Sequence, residues 1–374
     1  MNTTYLWVGH FLPSVLYGIN MLRQNLFQKG LLMVGLTAAL LLSPQATQTT
    51  TAKEAAVTIK DSLGRTIHVP YPVRRIVVLN SDVLEIVRTL KAEDYVVGVF
   101  SEIVREPEFW GGLAKRPKVG SWRDPDLEAI AALAPDVVVA YGRNPGPELE
   151  QKANLLGIKV LRLDFYKPNK LEEEARALGL LLDRMQEAKR FCEWHRRYLK
   201  MIQERIARTS RRPAVYIESY SDYHAAGPDS GGHEMCILAG GNNIATSLSI
   251  PFPRVTPEWV LTKNPEVIIK AASYGNGYSL KNTIPFNQRR DAIMRRPAWY
   301  HIPAVISGNV YVVDSSIWTG PRAIIGVSHM VRWIHPSLFS DLDPETLHRT
   351  YLETFQGVPY KGVFVSDDVK RWKQ

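Results

Sequence analysis

Cysteine is almost missing from this chain of 374 residues, which contains only Cys192 and Cys236. No Cys-x-x-Cys pair occurs, and this argues against a structural zinc site. The sequence leaves open whether the two thiols form a disulfide, because their spacing does not define the geometry of such a bond. No cysteine follows the apolar N-terminal segment, so a lipid anchor on a cysteine is not expected there.

The chain also lacks the common catalytic motifs. A Gly-Lys dipeptide is absent, which excludes a P-loop, and no Gly-x-Ser-x-Gly nucleophile turn occurs. The segment from His233 to Ile237 begins like a zinc-protease helix, but Ile237 stands where a second histidine is required. We therefore expect a binding protein rather than an enzyme, with no cofactor and no resident metal site.

No stretch of the chain concentrates its positive charge. The formal net charge is +9, but the basic residues are interspersed with acidic ones. Nucleic-acid binding usually requires a basic stripe or a recognisable module, and neither occurs, so we expect no nucleic-acid partner. A cationic cleft for a small anionic ligand agrees equally well with this charge.

The N-terminal region has no apolar run long enough for a membrane span. Arg23 and Lys29 precede an uncharged run at 31–43, shorter than the roughly 20 residues that a spanning helix needs. Such a run is typical of a signal peptide. We assign 1–52 to a signal peptide and leader and expect a periplasmic protein, while an uncleaved N-terminal anchor stays open.

One pattern of residues occurs twice. Glu258 follows Glu128 by the same interval at which Pro265 follows Pro135. Each copy predicts a short helix with an acidic first turn, a stop before proline and then a β-branched run, here 137–140 and 267–270. A continuous Val/Ile run is typical of a strand buried on both faces of a parallel sheet.

Strands and helices of similar length alternate along most of the chain, which predicts an α/β fold of two doubly wound lobes with parallel central sheets. Apolar residues at helical spacing from Phe191 to Ile206 predict one long helix that joins the lobes. We expect an N-terminal α/β lobe at 53–168, an interlobe helical region at 169–212 and a C-terminal α/β lobe at 213–374.

These patterns resemble the substrate-binding proteins of ABC importers, in the class that captures ferric siderophores, haem and cobalamin. The resemblance covers roughly 57–357 and is carried by the two repeats, with support from the motifs at 61–65, 74–77, 119–122 and 238–244. It implies two lobes joined by one rigid helix. It also implies that Glu128 and Glu258 dock on arginines of the membrane permease, which works with an ATPase subunit.

The resemblance does not identify the ligand, so candidate residues come from the loops that follow the predicted strands. Tyr and Trp offer flat apolar faces with a polar edge, and Arg can neutralise an anionic chelate. The predicted ligand-binding residues are Trp122, Tyr141, Arg143, Tyr220, Tyr223, His224, Tyr274, Trp318 and Arg322, with Asn80 and the loop at Trp110 beside them.

The expected ligand is a small-molecule metal chelate, and the Tyr and Arg candidates favour a ferric siderophore. A cobalamin-type corrinoid or haem stays open, as does the question whether the protein ligates the metal directly. A monomer is expected. A second role for the same fold is that of ligand-binding partner of a membrane sensor, in which case Glu128 and Glu258 have no permease to contact.

Overall fold

The computed structural model describes residues 56–274 and 277–366. It confirms the predicted α/β class, with two lobes that each contain a parallel four-stranded sheet. The predicted signal peptide and leader at 1–52 lies outside the described residues. In the described part of the chain, no helix is both long enough and apolar enough to span a bilayer.

The strands belong to one hairpin and two larger sheets. Their bounds are β1 Ala56–Lys60, β2 Thr66–Pro70, β3 Ile76–Val78, β4 Val96–Val99, β5 Val137–Ala140, β6 Lys159–Arg162, β7 Ala214–Glu218, β8 Asn242–Asn243, β9 Val267–Ala272 and β10 Val310–Asp314.

The helices connect and cover these strands. Their bounds are α1 Ser81–Thr89, α2 Pro107–Trp110, α3 Leu127–Ala132, α4 Glu148–Leu155, α5 Leu171–Leu181, α6 Met185–Ile206, α7 Gly231–Leu238, α8 Pro257–Lys263, α9 Ile284–Met294, α10 Pro303–Ile306, α11 Ser315–Trp318, α12 Ala323–Ile334 and α13 Pro344–Thr350. Single 3₁₀ turns occur at Glu93–Tyr95, Ser101–Arg105, Gly111–Lys115, Gly277–Ser279, Trp299–His301 and Gly320–Arg322, with a π-helical turn at Tyr351–Phe355.

The sheet of the first lobe has the order β4-β3-β5-β6, and the sheet of the second lobe has the order β10-β9-β7-β8. All strand pairs in both sheets are parallel. Because the strands of each sheet run in the same direction, their carboxyl ends all lie at one edge of the sheet. Crossover connections return the chain to the opposite edge. The repeated helix–strand units occupy corresponding places, α3–β5 in one lobe and α8–β9 in the other.

Both faces of each sheet are buried, as the unbroken Val/Ile runs predict. On β5, Val138 joins an outer core with Ile130 of α3, while Val137 and Val139 join the core that lies between the lobes. On β9, Ile268 likewise joins an outer core, whereas Ile269 joins the central one. The central core contains residues of both lobes, so the lobes are packed together rather than tethered.

The interlobe helical region contains two helices instead of one continuous helix. Helix α5 ends near Leu182, and Asp183 adopts a positive φ of 56° before α6 begins. Helix α6 has 22 residues, which confirms the predicted long helix. Its buried face includes Phe191, Trp194 and Ile202, which lie at the spacing expected of one helical face.

A buried polar network also crosses from the first lobe to the second. Glu85 of α1 accepts hydrogen bonds from Arg322 Nε and Nη2 at 2.7 and 3.0 Å and from the Tyr351 hydroxyl at 2.6 Å. Arg88, one turn along α1, donates through Nε to Gln356 Oε1 at 2.7 Å. These contacts fasten α1 to the second lobe and to the C-terminal segment.

Both cysteines are buried and free in the structure. Burial raises the pKa of the Cys192 thiol to about 11. The disulfide that the sequence left open is therefore not formed.

Candidate functional site

A deep cleft lies where the carboxyl ends of the two sheets face each other. Its cavity volume is about 930 Å³, at the upper end of the roughly 300–1,000 Å³ typical of small-molecule sites. Residues that follow strands in both lobes line it, namely Asn80, Tyr141, Asp164, Tyr220, Ser273 and Ser315. This is the position at which open parallel sheets bind ligands.

Asn80 shows how a strand end becomes part of the cleft. The segment at 75–80 predicts a buried strand that extends to Asn80, but β3 ends at Val78. The Asn80 side chain instead caps α1 by accepting the N–H of Val83 at 2.7 Å, and its amide donates to the carbonyl of Leu163. Asn80 therefore orients the first turn of α1, in which Ser81 and Asp82 line the cleft.

Aromatic side chains from both lobes form the cleft walls. They are Phe100, Trp110, Trp122, Tyr141, Tyr166, Tyr220, Phe252 and Trp318. Trp122 and Tyr141 meet edge to face with ring centroids 5.7 Å apart. Trp318 comes from the second lobe and lies against Gly232, where even a methyl group would come within 2.4 Å of the indole ring. Glycine at 232 is thus required for the position of this wall.

The floor of the cleft contains a carboxyl group at the seam between the lobes. The Tyr141 hydroxyl donates to Asp82 Oδ2 at 3.1 Å. A Cβ atom on Gly320 of the second lobe would lie 2.8 Å from Asp82 Oδ1, so the carboxyl group is directly against that backbone. Burial and the neighbouring Glu85 carboxylate raise the pKa of Asp82 to about 7.

Two further carboxyl groups extend this acidic floor. Burial raises the pKa of Glu106 to about 7. Burial also raises the pKa of Asp164, which accepts the N–H of Gly142 at 2.6 Å. The inner part of the cleft therefore combines aromatic surface with carboxyl groups that are partly removed from water.

Basic residues lie nearer the solvent. Arg105, Arg123 and Arg143 line the cleft and are exposed, and Lys167 is half-buried. The Arg123 guanidinium lies over the Trp122 ring, 4.4 Å from its centroid. The cleft thus has a basic mouth above an acidic floor.

The structure brings five of the nine predicted ligand residues together in this cleft. They are Trp122, Tyr141, Arg143, Tyr220 and Trp318. Asn80 and Trp110 also line it, although Gly111 and Gly112 do not. The ends of buried strands were therefore a useful guide to the cleft.

Tyr223, His224, Tyr274 and Arg322 do not line the cleft, which corrects their predicted place. The loop after β7 folds back, because Ser219 N–H donates to the carbonyl of His224 at 2.7 Å, and only Tyr220 reaches the cavity. Tyr223 has a φ of 60° and packs on Trp299 and Arg296 instead.

The other two residues are held by local packing. Tyr274 follows β9 but meets Phe286 of α9 edge to face, with centroids 5.1 Å apart. Arg322 is 2% exposed and pairs with Glu85 beneath the cleft. Its guanidinium also lies 4.5 Å from the Phe109 ring centroid. An arginine whose guanidinium is bound and packed in this way has a structural role between the lobes.

Sequence reasoning missed the acidic floor. Asp164 follows β6 by two residues, so the strand end gave a signal for it, whereas Asp82 is the second residue of α1, four residues beyond β3. Glu106 lies in a loop before α2 and Phe252 in a loop between β8 and α8, and no pattern in the sequence marks either of them.

Glu128 and Glu258 occupy equivalent places on the outer surface of the two lobes. Each lies in the first turn of its helix, after the capping residues Asp126 and Thr256. Both side chains are exposed. Among the described residues, neither glutamate forms a salt bridge.

The described residues contain no group of three or more His, Cys, Asp or Glu side chains arranged to hold a metal ion. His233, the first residue of the segment that begins like a zinc-protease helix, contacts the Asn243 side-chain amide through Nδ1 at 2.9 Å.

A parallel α/β fold with a cleft between two lobes defines a ligand-binding protein of the periplasmic type. The sequence matches the periplasmic binding protein family over residues 76–317, and the chain belongs to this family. Membership confirms the prediction of a binding protein rather than an enzyme and implies a periplasmic location.

Individual proteins that are similar in sequence or in fold agree with this family assignment. The chain is 26% identical over 189 residues to the vitamin B12-binding protein of Photorhabdus laumondii, with 50% of this chain and 68% of that protein covered. The fold is similar to that of the TroA-like periplasmic binding protein FepB of Veillonella parvula, with a TM-score of 0.71, 20% identity, and 83% and 99% of the two chains covered. It is also similar to MolA of Haemophilus influenzae bound to molybdate, with a TM-score of 0.68, 20% identity, and 82% and 99% covered.

Proposed function

We propose that this protein is the substrate-binding component of an ABC importer and that its cleft captures a corrinoid of the vitamin B12 class. The observation that carries the proposal is the wide interlobe cleft, which has aromatic walls from both lobes and no arginine in its floor. The protein would deliver this ligand to a membrane permease.

The shape and chemistry of a corrinoid agree with this cleft. A corrin ring is broad and flat, with primary carboxamides around its rim. Indole and phenol rings provide flat apolar contact, and their N–H and O–H groups bind amides at the edge. The carboxyl groups of Asp82 and Glu106 can accept hydrogen bonds from amide N–H groups.

The relatives add independent support. Their name reports vitamin B12 binding, at 26% to 28% identity over about half of this chain. The solved structures of similar fold share too little sequence to indicate a ligand, and one of them holds molybdate.

A ferric siderophore is the second candidate, and the basic mouth of the cleft favours it. Arg105, Arg123, Arg143 and Lys167 would attract an anionic chelate. Arg322, which helped to favour this ligand in the sequence, no longer contributes because it pairs with Glu85. Haem shares the flat shape but carries carboxylates, which the acidic floor would repel.

Delivery to a permease would use the exposed Glu128 and Glu258. Their equivalent positions on the repeated helix–strand units support a contact in which each lobe presents one carboxylate to the same membrane partner. ATP hydrolysis would take place in a separate subunit of that importer.

Removal of either wall tryptophan should weaken corrinoid binding. We expect Trp122→Ala and Trp318→Ala each to raise the dissociation constant of dicyanocobinamide by about 10- to 100-fold, because loss of a buried aromatic contact typically costs about 1.4–3 kcal/mol. Tryptophan fluorescence quenching and the corrin absorbance spectrum both report this binding.

Tyr300→Ala is the matched control, since Tyr300 is 66% exposed and does not line the cleft. The dissociation constant of dicyanocobinamide for this variant should stay within about twofold of the wild-type value. Absence of corrinoid binding to the wild-type protein, together with tight binding of a ferric siderophore, would replace the first candidate by the second.

A further inference from the structure

Most charged side chains in the cleft differ in depth according to their sign, and the exceptions are the half-buried Lys167 and the exposed Asp229. Asp82 and Glu106 are partly buried at the floor, whereas Arg105, Arg123 and Arg143 are exposed at the mouth. A ligand therefore passes the arginines first and rests on the carboxyl groups. Net charge of the cleft is a poor guide to its selectivity, because desolvated charges act more strongly than exposed ones.

Asp82 keeps acceptor capacity that the protein does not use. A carboxylate has about four lone-pair sites, and the described residues supply one hydrogen bond, from the Tyr141 hydroxyl to Oδ2. The other oxygen, Oδ1, faces the Gly320 backbone at the seam. A ligand that fills the floor can therefore donate to this carboxylate.

Glu106 is the second carboxyl group that keeps acceptor capacity, and Asp164 differs from both in that its partner is a backbone N–H rather than a side chain. Asp164 already accepts the Gly142 N–H at 2.6 Å. Glu106 lines the cavity and has a side-chain hydrogen bond with Trp110, while Arg322, Glu85 and Asp314 act on its carboxyl group electrostatically. Asp82 and Glu106 each have one side-chain hydrogen-bond partner and can accept further bonds, and we term this pair the floor carboxylates.

The surroundings of the floor carboxylates oppose any further negative charge. Asp82 experiences the charges of Glu85 on α1 and of Asp164 after β6, accepts the Tyr141 hydroxyl, and is stabilised as an anion by Arg322. Burial is the main cause that raises the pKa of both floor carboxylates to about 7. A donor or a cation from the ligand would relieve this desolvation, whereas a polyanion would add to it.

We infer that the floor carboxylates are the specificity determinants of the cleft, selecting metal chelates that present amide N–H donors or positive charge and rejecting polyanionic chelates. This inference rests on the proposed function in one respect, namely that the interlobe cleft is the ligand site. It goes further by predicting which siderophores fail to bind: catecholates are excluded, and cationic hydroxamates are compatible.

Three probes with different charge test the inference on the full protein. Dicyanocobinamide is neutral and rich in amides, ferrioxamine B is a cationic ferric trihydroxamate, and a ferric tris-catecholate is a trianion. We expect wild-type protein to bind at least one of the first two at least about 100-fold more tightly than the tris-catecholate. Dissociation constants from fluorescence titration at pH 7.5 measure the preference.

The variants Asp82→Asn and Glu106→Gln keep the shape of the floor and remove its charge. Each should weaken binding of the preferred probe and strengthen binding of the tris-catecholate, so that the ratio of the two constants changes by at least about tenfold. Glu193→Gln is the matched control, because Glu193 is a carboxylate exposed on α6 that does not line the cleft. In this control, the ratio of the dissociation constants of the preferred probe and the tris-catecholate should change by less than about threefold. Circular dichroism checks that each variant is folded.

The outcomes separate this inference from the proposed function. Binding of ferrioxamine B without dicyanocobinamide, with the expected response to Asp82→Asn, rejects the corrinoid and supports the role of the floor carboxylates. Corrinoid binding with ratios that neither floor variant changes supports the proposed function and overturns the inference. Tight binding of the tris-catecholate to wild-type protein, or no binding of any probe, contradicts both.

Discussion

Replacement of Glu128 and Glu258 by alanine is expected to reduce ligand uptake to background while ligand affinity stays unchanged. The two exposed carboxylates lie at equivalent helix starts, one on each lobe, and neither lines the cleft. Loss of both removes the proposed ion pairs with the permease. Uptake of a cobalt-labelled corrinoid into proteoliposomes that contain the cognate permease measures the effect, and fluorescence titration measures affinity.

Glu193→Ala combined with Glu204→Ala is the matched control for this experiment. Both residues are exposed on α6, with 56% and 58% of their side-chain surface accessible. The control should transport at the wild-type rate. Unchanged transport by the Glu128 and Glu258 variant would instead favour a role beside a membrane sensor, and lost affinity would place the two glutamates in ligand binding.

Substitution of Arg322 by methionine is expected to lower the free energy of unfolding by about 3–5 kcal/mol, because it leaves the Glu85 carboxylate buried without its cation. Arg322 and Glu85 are 2% and 8% exposed in their side chains, and the pair joins the two lobes. Urea denaturation followed by circular dichroism measures the loss.

A double-mutant cycle separates the ion pair from general packing. The combination of Arg322→Met with Glu85→Gln should lose less stability than the sum of the two single losses, since the buried charge is then gone. Lys200→Met is the control, because Lys200 is 72% exposed and its pair with Glu204 should contribute no more than about 0.5 kcal/mol. A loss below about 1 kcal/mol for Arg322→Met would contradict the structural role.

The fold followed from the sequence where local pattern and burial agree. The runs at 137–139 and 267–269 contain only Val and Ile, as expected of central strands of parallel sheets, and both lie in such strands. The helix that precedes each run has an acidic first turn and ends shortly before a proline, as the repeated pattern predicts. The long helix α6 was similarly clear from its apolar spacing.

The cleft was less predictable because loops decide which strand-end residue reaches it. Tyr220 and Tyr223 follow the same strand three residues apart, yet the fold-back of the loop leaves only Tyr220 in the cavity. Glu85 and Arg322 are far apart in the sequence, so their ion pair depends on how the lobes dock, which no local pattern records.

The acidic floor depends on the same docking. Asp82 is an unremarkable first-turn carboxylate in the sequence, where the ordinary role is to complement the helix dipole. It becomes part of the floor because Gly320 of the second lobe packs against it and the Tyr141 hydroxyl turns towards it. Charge that is desolvated by tertiary contact is visible only in the structure.

Native mass spectrometry of protein purified from its own host is the most direct test of the central claim, because a ligand retained in the cleft would reveal its own mass. We predict one bound molecule per chain with the mass of a cobalt-containing corrinoid and a corrin absorbance spectrum, both lost in Trp122→Ala. A retained ferric catecholate, or a ligand that remains bound when Trp122 and Trp318 are both replaced by alanine, would contradict this account.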